Sequence, residues 1–364
     1  MSDIVPKPFR VIDTGLRGGR ANIAFDRALI EARKTNAIPD TIRFLRFKPC
    51  ALIGIHQILS HEIKVDYCKS HGIEIVRRIT GGGGLYFDEG QIGWELVFDR
   101  AALGTSDLAE MTRRICEAAA LGLNKLGVPA RYRPRNDLEV DGRKISGTGG
   151  FFDGNVIFYQ GTLLIDFDPA KMACLNIPTE KLAKRDLQSG AQRIITMREV
   201  LADRLPDLET IYEGLLSGFA EGLGIDPQWG AITPNEEALA ARAYREEIGT
   251  DAYVAMLDAP APSGNLVTAS LTGKGGSVRA DIRLEGPQGN RIREALITGD
   301  FFVTPPRVVF DLEASLRGLE VAEAGAAVEA FFARTQIGLL SITPADFRNV
   351  VEAALGRRAE AAAG

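Results

Sequence analysis

The chain is poor in the residues from which metal and thiol sites are built. Its 364 residues include only three histidines and four cysteines. There is no H-E-x-x-H, and a dedicated transition-metal site is not expected. Cys50, Cys68, Cys116 and Cys174 are widely spaced and form no C-x-x-C. They read as reduced, buried packing residues of a cytoplasmic protein. No stretch reaches the ~18 continuous apolar residues of a membrane span, and the opening MSDIVPKPFR lacks the apolar run of a signal peptide. Neither charge sign dominates: 43 Lys and Arg face 48 Asp and Glu, for a net charge of −5. That excludes a global basic field for nucleic acid or an anionic membrane.

What is present is an ordinary globular composition, 45% hydrophobic and 25% charged. At ~100–200 residues per domain the length predicts two domains, or three. Residues 20–34 have Ile23, Leu29 and Ile30 near helical spacing. TIRFLRF and CALIGIHQ read as strands broken at Lys48-Pro49, HEIKVDYCKSHG as a short helix closed by Gly72, and IEIVRRIT and QIGWELVFD as strands. A helix is predicted over 106–127, capped by Ser106 or Asp107, with Leu108, Met111, Ile115, Ala119 and Leu126 on its buried side. NVIFYQGTLLIDFD is a long buried strand, and TEKLAKR and TMREVL are short helices. LDAPAPSGN, near 257–265, reads as a linker. Beyond it come strands at 265–272, 277–284 and 291–298, then helices near 322–334 and 344–356. The last starts at Thr343-Pro344-Ala345-Asp346, a cap followed by proline, and its RRAEAAAG tail is expected to fray. The resulting division is 1–257, a linker at 258–264, and a small α+β domain at 265–364.

Two stretches carry chemistry. RRITGGGGLYFDEG, residues 77–90, holds four consecutive glycines behind Arg77 and Arg78. Such a run serves either a turn or a backbone cradle, and paired guanidinium groups beside free N–H groups suit an anion. The spacing matches neither the P-loop nor G-x-G-x-x-G. In RNDLEVDGRKISGTGG, Asp141-Gly142 signals a two-residue hairpin turn. The register then sets Glu139 opposite Lys144 and Asp137 opposite Ser146, putting all four on one face, with Leu138, Val140 and Ile145 on the other. Lys144 is either a surface partner of Glu139 or a second anion clamp beside the small-residue loop. His56 reads as a structural hydrogen-bonder before a base.

Taken in order, Gly-x-His-Gln (54–57), Arg-Arg-x-Thr-Gly-Gly-Gly (77–83), Arg-Asn-Asp (135–137), Asp-Gly-Arg-Lys-Ile-Ser-Gly (141–147) and Gly-Thr-Leu-Leu (161–164) resemble the lipoate–protein ligase family. The blocks span roughly 110 residues. The resemblance implies an α+β fold with mixed β-sheets wrapped by helices, shared with biotin protein ligases and octanoyltransferases, plus a small α+β C-terminal accessory domain. It implies activation of lipoate by ATP with Mg²⁺ to lipoyl-AMP, then transfer to a lysine of a lipoyl-carrier protein. Lys144 corresponds to the family's essential lysine and Asp137 to its acidic residue near the adenylate. Ligand contacts are implied for Arg77, Arg78, Gly81, Gly82, Gly83 and Asp88. They are also implied for Asn136, Ser146, Gly147, Thr148, Gly161 and Thr162. No dedicated metal site is implied; Mg²⁺ is expected with ATP, its ligands not identified by the resemblance.

The departures are Ile55 before His56, Phe87 before Asp88, Gln91, and Tyr159-Gln160 before the Gly-Thr-Leu-Leu block. With the Trp94 strand, they resemble a divergent branch serving one dedicated carrier, such as a glycine-cleavage-H-like carrier of bacterial sulfur oxidation. Two alternatives stand beside the ligase. One is an octanoyl or lipoyl transferase working through a cysteine thioester, for which Cys174 is the nearest thiol. The other is a protein that holds lipoate or a nucleotide without transferring it.

Overall fold

The computed structural model describes residues 6–105, 107–176, 193–273, 276–339 and 342–362. The chain is α+β. Its main sheet has eight strands: β1 (Lys7–Arg17), β2 (Thr41–Phe47), β6 (Gln91–Asp99), β7 (Arg131–Arg133), β8 (Asp137–Val140), β9 (Arg143–Asp153), β10 (Val156–Leu164) and β11 (Ile225–Trp229). Their order is β11-β1-β2-β6-β10-β9-β8-β7. The β11-β1-β2 end is parallel and everything from β2 onward is antiparallel, so the sheet is mixed. A three-stranded sheet of β3 (Cys50–Ile53), β4 (Glu74–Arg77) and β5 (Leu85–Phe87) lies beside it.

Strand alternation gives the main sheet two faces with separate cores. Phe44, Trp94, Leu96, Ile157, Tyr159 and Leu163 face one core, filled from the helix side by Met111, Ile115, Ala119, Phe219 and Leu223. Leu45, Val97 and Phe158 face another, filled by Ile23, Phe25 and Leu29. The filling helices are α1 (Gly19–Lys34), α4 (Leu108–Lys125) and α6 (Leu208–Leu223). Between α1 and α4 lie the short α2 (Leu59–Glu62) and α3 (Val65–Ser70), and between α4 and α6 the short α5 (Met197–Leu201). Helix α4 ends within two residues of its predicted limits. Its cap is Asp107, whose carboxylate accepts from the Ala109 N–H at 2.8 Å. Ser106 and the predicted helix TEKLAKR lie outside the described residues. The single helix predicted over 61–72 is instead two short ones, α2 and α3.

The C-terminal part has its own core, from Ala269, Ile282 and Phe301 to Val328, Phe347 and Leu355. It contains the antiparallel sheet β12 (Leu266–Gly273), β13 (Gly276–Glu285) and β14 (Arg291–Asp300), and the pair β15 (Val303–Thr304) and β16 (Gly338–Leu339). The helices here are Val308–Leu316, Ala324–Arg334 and Pro344–Ala362. The Thr343 cap is present: its hydroxyl lies 2.7 Å from Asp346 Oδ2 and accepts from the Asp346 N–H at 3.3 Å. The tail expected to fray is helical as far as Ala362.

Helices α4 and α6 cross at glycines. A Cβ on Gly218 would lie 2.3 Å from the Ala118 carbonyl and 2.4 Å from the Gly122 nitrogen. Alanine improves helix propensity by about 1 kcal/mol, whereas forcing packed backbones apart costs about 1–3 kcal/mol. The clash should win. Gly218→Ala is expected to lower the urea midpoint; an unchanged or raised midpoint would contradict this packing.

Candidate active site

The antiparallel ladder lays two rows of residues across one face of the main sheet. Leu45, Gly93 and Thr162 are in register. Gly147 continues this row, donating its N–H to Thr162 Oγ1 at 3.0 Å. The second row is Arg43, Glu95, Gln160 and Gly149. A cavity of about 550 Å³ opens over these rows. Leu45, Phe47, Leu52, Phe87, Leu164 and Phe167 make it apolar, while Arg135, Asn136, Asp137 and Lys144 line it from the sheet edge. The volume suits a small ligand with an apolar tail and a charged head.

Lys144 and Asp137 are brought together, but not in the predicted register. Val140 faces Arg143 and Glu139 faces Lys144; a bulge then sets Leu138 opposite Ser146 and Asp137 opposite Gly147. The extra residue moves Ser146 from the predicted polar row to the position facing core Leu138. Its hydroxyl is buried without a hydrogen-bond partner, although Ser146 still lines the cavity. Gly147 takes its place, and a Cβ there would meet Lys144 Nζ at 2.4 Å. Lys144 Nζ lies 2.8 Å from Asp137 Oδ1, and Arg133 Nη2 donates to Asp137 Oδ2 at 2.6 Å. Burial would raise the Asp137 pKa, but Lys144 and then Arg133 outweigh it and hold the carboxyl below its usual value. The bland pairing of Lys144 with Glu139 does not form, because Glu139 accepts from Arg131 at 2.9 Å and from Arg133 at 3.0 Å.

Several predicted contacts prove structural. Arg77 is not on the cavity. Its buried guanidinium donates to the carbonyls of Gly54, Ile55, Gln57 and Val254 at 2.7–3.2 Å. It therefore ties the chain before the glycines to Val254. Asp88 is also off the cavity, accepting from the Gly90 N–H at 3.0 Å and from Lys171 at 2.6 Å. Thr148 lines the cavity, but its hydroxyl donates to the Asn136 carbonyl at 2.9 Å and lies 2.6 Å from Tyr159 Oη. The Asn136 amide in turn bonds the Thr148 carbonyl. Gly161 lines the cavity and also makes room for the Trp94 ring on the opposite face.

Arg78 does reach the cavity. It donates to the carbonyls of Gly81 and Gly83 at 2.7–3.1 Å, and its Nη1 is buried without a partner. Burial lowers its pKa to about 10. Gly83 lines the cavity; Gly81 and Gly82 do not. The run of glycines is a close-approach seat, with Gly82 N–H donating to the Phe301 carbonyl at 2.9 Å.

Arg135 stands in the Arg-Asn-Asp motif and lines the cavity; its carbonyl accepts from the Tyr132 hydroxyl at 2.9 Å, while its guanidinium has no hydrogen bond or ion pair among the described residues. The Arg-Asn-Asp block contained that signal. Asp300 and Phe302 also line the cavity, and nothing local in the sequence marks them.

His56 is buried and stacks on Phe301 with ring centroids 5.0 Å apart. Neither ring nitrogen has a hydrogen-bond partner, so the expected structural hydrogen bond is absent. Burial, then the nearby Arg77 charge, lowers its pKa from 6.5 to about 3.

Residues 19–220, more than half of the chain, match the family model of the lipoyl protein ligase A/B catalytic domain. The chain belongs to this family. Its members are lipoate ligases and lipoyl or octanoyl transferases. Lipoate-protein ligase A subunit 1 of Thermoplasma acidophilum is 27% identical, covering 64% of this chain and 91% of the relative. Octanoyltransferase LipM of Halalkalibacterium halodurans is 28% identical, covering 67% and 98%. Among solved structures, the bi-partite lipoate protein ligase of Thermoplasma acidophilum, described with its E2 lipoyl domain, has a TM-score of 0.59 at 26% identity, covering 71% of this chain and all of that one. Lipoate-protein ligase A bound with ATP gives 0.58 at 24%, covering 69% and 99%. P. falciparum LipL1 in complex with lipoate gives 0.71 at 15%, covering 95% and 98%. The last two show the fold alone. No helix among the described residues is long and apolar enough to cross a membrane.

His56 yields a pH prediction. The unfolded chain binds a proton below about pH 6.5 that the folded chain refuses until about pH 3. Stability from this residue is therefore complete above the unfolded pKa and falls as pH drops through that window. His56→Phe keeps the stacked ring and removes the titration. Denaturant unfolding of this variant should show a flatter stability profile between about pH 6.5 and pH 4. Parallel profiles would contradict the assignment.

Proposed function

We propose that the chain is an ATP-dependent lipoate–protein ligase, activating lipoate to lipoyl-AMP and transferring the lipoyl group to a lysine of a lipoyl-carrier domain. The observation that carries this reading is the Lys144–Asp137 pair, 2.8 Å apart, at the edge of a glycine-lined cavity with an apolar end. In this reading residues 1–257 are the catalytic domain, 258–264 a linker and 265–364 an accessory domain.

The apolar residues around Leu45 and Phe47 take the acyl chain, and the carboxylate lies over Gly147. A carboxylate oxygen attacks the α-phosphorus of ATP, pyrophosphate leaves, and lipoyl-AMP forms. The carrier's lysine nitrogen then bonds the acyl carbon and AMP departs. Negative charge grows on oxygen in both steps, and the Lys144 ammonium is preorganised to stabilise it. Asp137 holds Lys144 in place and can orient the incoming amine. Arg135, unpaired, supplies a further positive charge for phosphate oxygens. Among the described residues no three His, Cys, Asp or Glu side chains form a metal cluster. Mg²⁺ expected with ATP needs no such cluster, since phosphates, water and one or two carboxylates suffice to hold it.

The octanoyltransferase relatives favour a second reading, acyl transfer without ATP. The thiols do not support a covalent carrier. All four cysteines are buried and none lines the cavity. Burial raises the Cys174 pKa to about 12 and the Cys116 pKa to about 11, far from a reactive thiolate.

The test is lipoate-dependent ATP–pyrophosphate exchange by the purified chain and by Lys144→Ala. Removal of one preorganised charge should slow exchange by about 10²–10³-fold. Absence of exchange from folded wild type, with octanoyl transfer from an octanoylated carrier in the absence of ATP, would replace the ligase by the transferase.

A further inference from the structure

The glycine run is shaped around the C-terminal part of the chain. Residues 299–304 cross the catalytic region as a strap. Gly299 N–H donates to the His56 carbonyl at 3.0 Å, and the Phe301 carbonyl accepts from Gly82 at 2.9 Å. Thr304 Oγ1 accepts from Phe152 N–H at 2.6 Å and donates to the Phe152 carbonyl at 3.1 Å. Phe301 belongs to the C-terminal core, edge-on to Phe347 at 5.4 Å. Phe302, the next residue, points the other way. It joins none of the hydrophobic cores and lines the cavity.

Its ring lies between Gly149 of β9 and Gly82, in the loop between β4 and β5. A Cβ on Gly149 would come within 2.2 Å of Phe302 Cε1, and one on Gly82 within 2.6 Å of Cζ. Gly149 is two residues beyond Gly147, about 7 Å along the strand. Gly147 is the glycine whose Cβ position touches Lys144 Nζ. An aromatic ring that joins no hydrophobic core thus covers the floor one step from the lysine, and two glycines are needed to admit it.

We propose that Phe302 is a water-excluding wall residue of the active cavity, supplied by the C-terminal part to protect the activated acyl carbon. The proposal rests on the ligase reading. An acyl-adenylate is lost when a water oxygen bonds the acyl carbon. The bond from that carbon to the bridging oxygen breaks, AMP leaves with that oxygen, and a proton passes to solvent, regenerating free lipoate. A closed apolar wall removes the attacking water without slowing adenylate formation.

The experiment uses the full chain with lipoate and ATP and no acceptor. Two rates are measured: ATP–pyrophosphate exchange, which reports activation, and steady AMP release, which reports leakage. Wild type should exchange while AMP release stops after one turnover. Phe302→Ala should release AMP continuously, several-fold faster relative to its own exchange rate. Phe302→Leu, which retains apolar volume, should restore much of the wild-type behaviour. Gly149→Ala expels the ring and should leak as well, and Gly149→Ala combined with Phe302→Ala should leak no more than Phe302→Ala alone. Unchanged leakage in Phe302→Ala with exchange intact overturns the proposal and leaves the ligase reading standing. Additive leakage in the double variant also overturns it. No exchange by folded wild type removes the ligase reading and this inference together.

Discussion

The site depends on one continuous antiparallel ladder through β6, β10 and β9. Its register aligns Gly93 and Thr162 and brings Gly147 beside them, with Glu95, Gln160 and Gly149 one step away. Because side chains alternate strictly, a slip of one residue would replace this open floor with Trp94, Gly161 and Thr148. The opposite face cannot spare those residues, since Trp94 and Tyr159 are core and Thr148 is tied to Tyr159. Burial of one face therefore fixes the emptiness of the other. The bulge before Ser146 then turns the last strand so that Lys144 meets Asp137.

Buried charge stabilises this arrangement at two further points. Arg43 lies at the end of the second row, bonded to Asp26 at 2.6 Å, Glu95 at 3.0 Å and Thr14 at 2.9 Å. Burial raises the pKa of both carboxyls, and the neighbouring Glu95 raises that of Asp26 further. Arg77 is the second point. Its four carbonyl partners link the Gly54 turn to Val254, so the base of the glycine run is rigid. The run itself stays free of side chains to receive the strap. Charge that looks catalytic in sequence thus serves partly to hold the frame that carries Lys144.

Much of this was legible in the chain. The Asp141-Gly142 turn and the alternation around it predict the hairpin, and the ordered motifs lead to Lys144 and Asp137. The bulge was not legible, because nothing in RKISG marks an extra residue; Ser146 was consequently placed on the wrong face. Arg77 and Arg78 are adjacent in sequence, and only tertiary partners separate them: the Gly54–Gln57 turn and Val254 hold the first, while the second reaches the cavity. The strand β1, the helix α6 and the helix Val308–Leu316 were not predicted at all. In KPFRVIDTGLR the charged and apolar residues do not alternate cleanly, since the strand is parallel to both neighbours. Phe302 carries no motif, and its role follows only from glycines distant in the sequence.

The most direct test of the account is a crystal structure of the full chain with a non-hydrolysable lipoyl-adenylate analogue. The account predicts the acyl carbonyl within hydrogen-bonding reach of Lys144 Nζ, with the chain running over Gly147 and Gly93 toward Leu45. An analogue bound away from this face, or with its acyl chain directed away from Leu45, would contradict it.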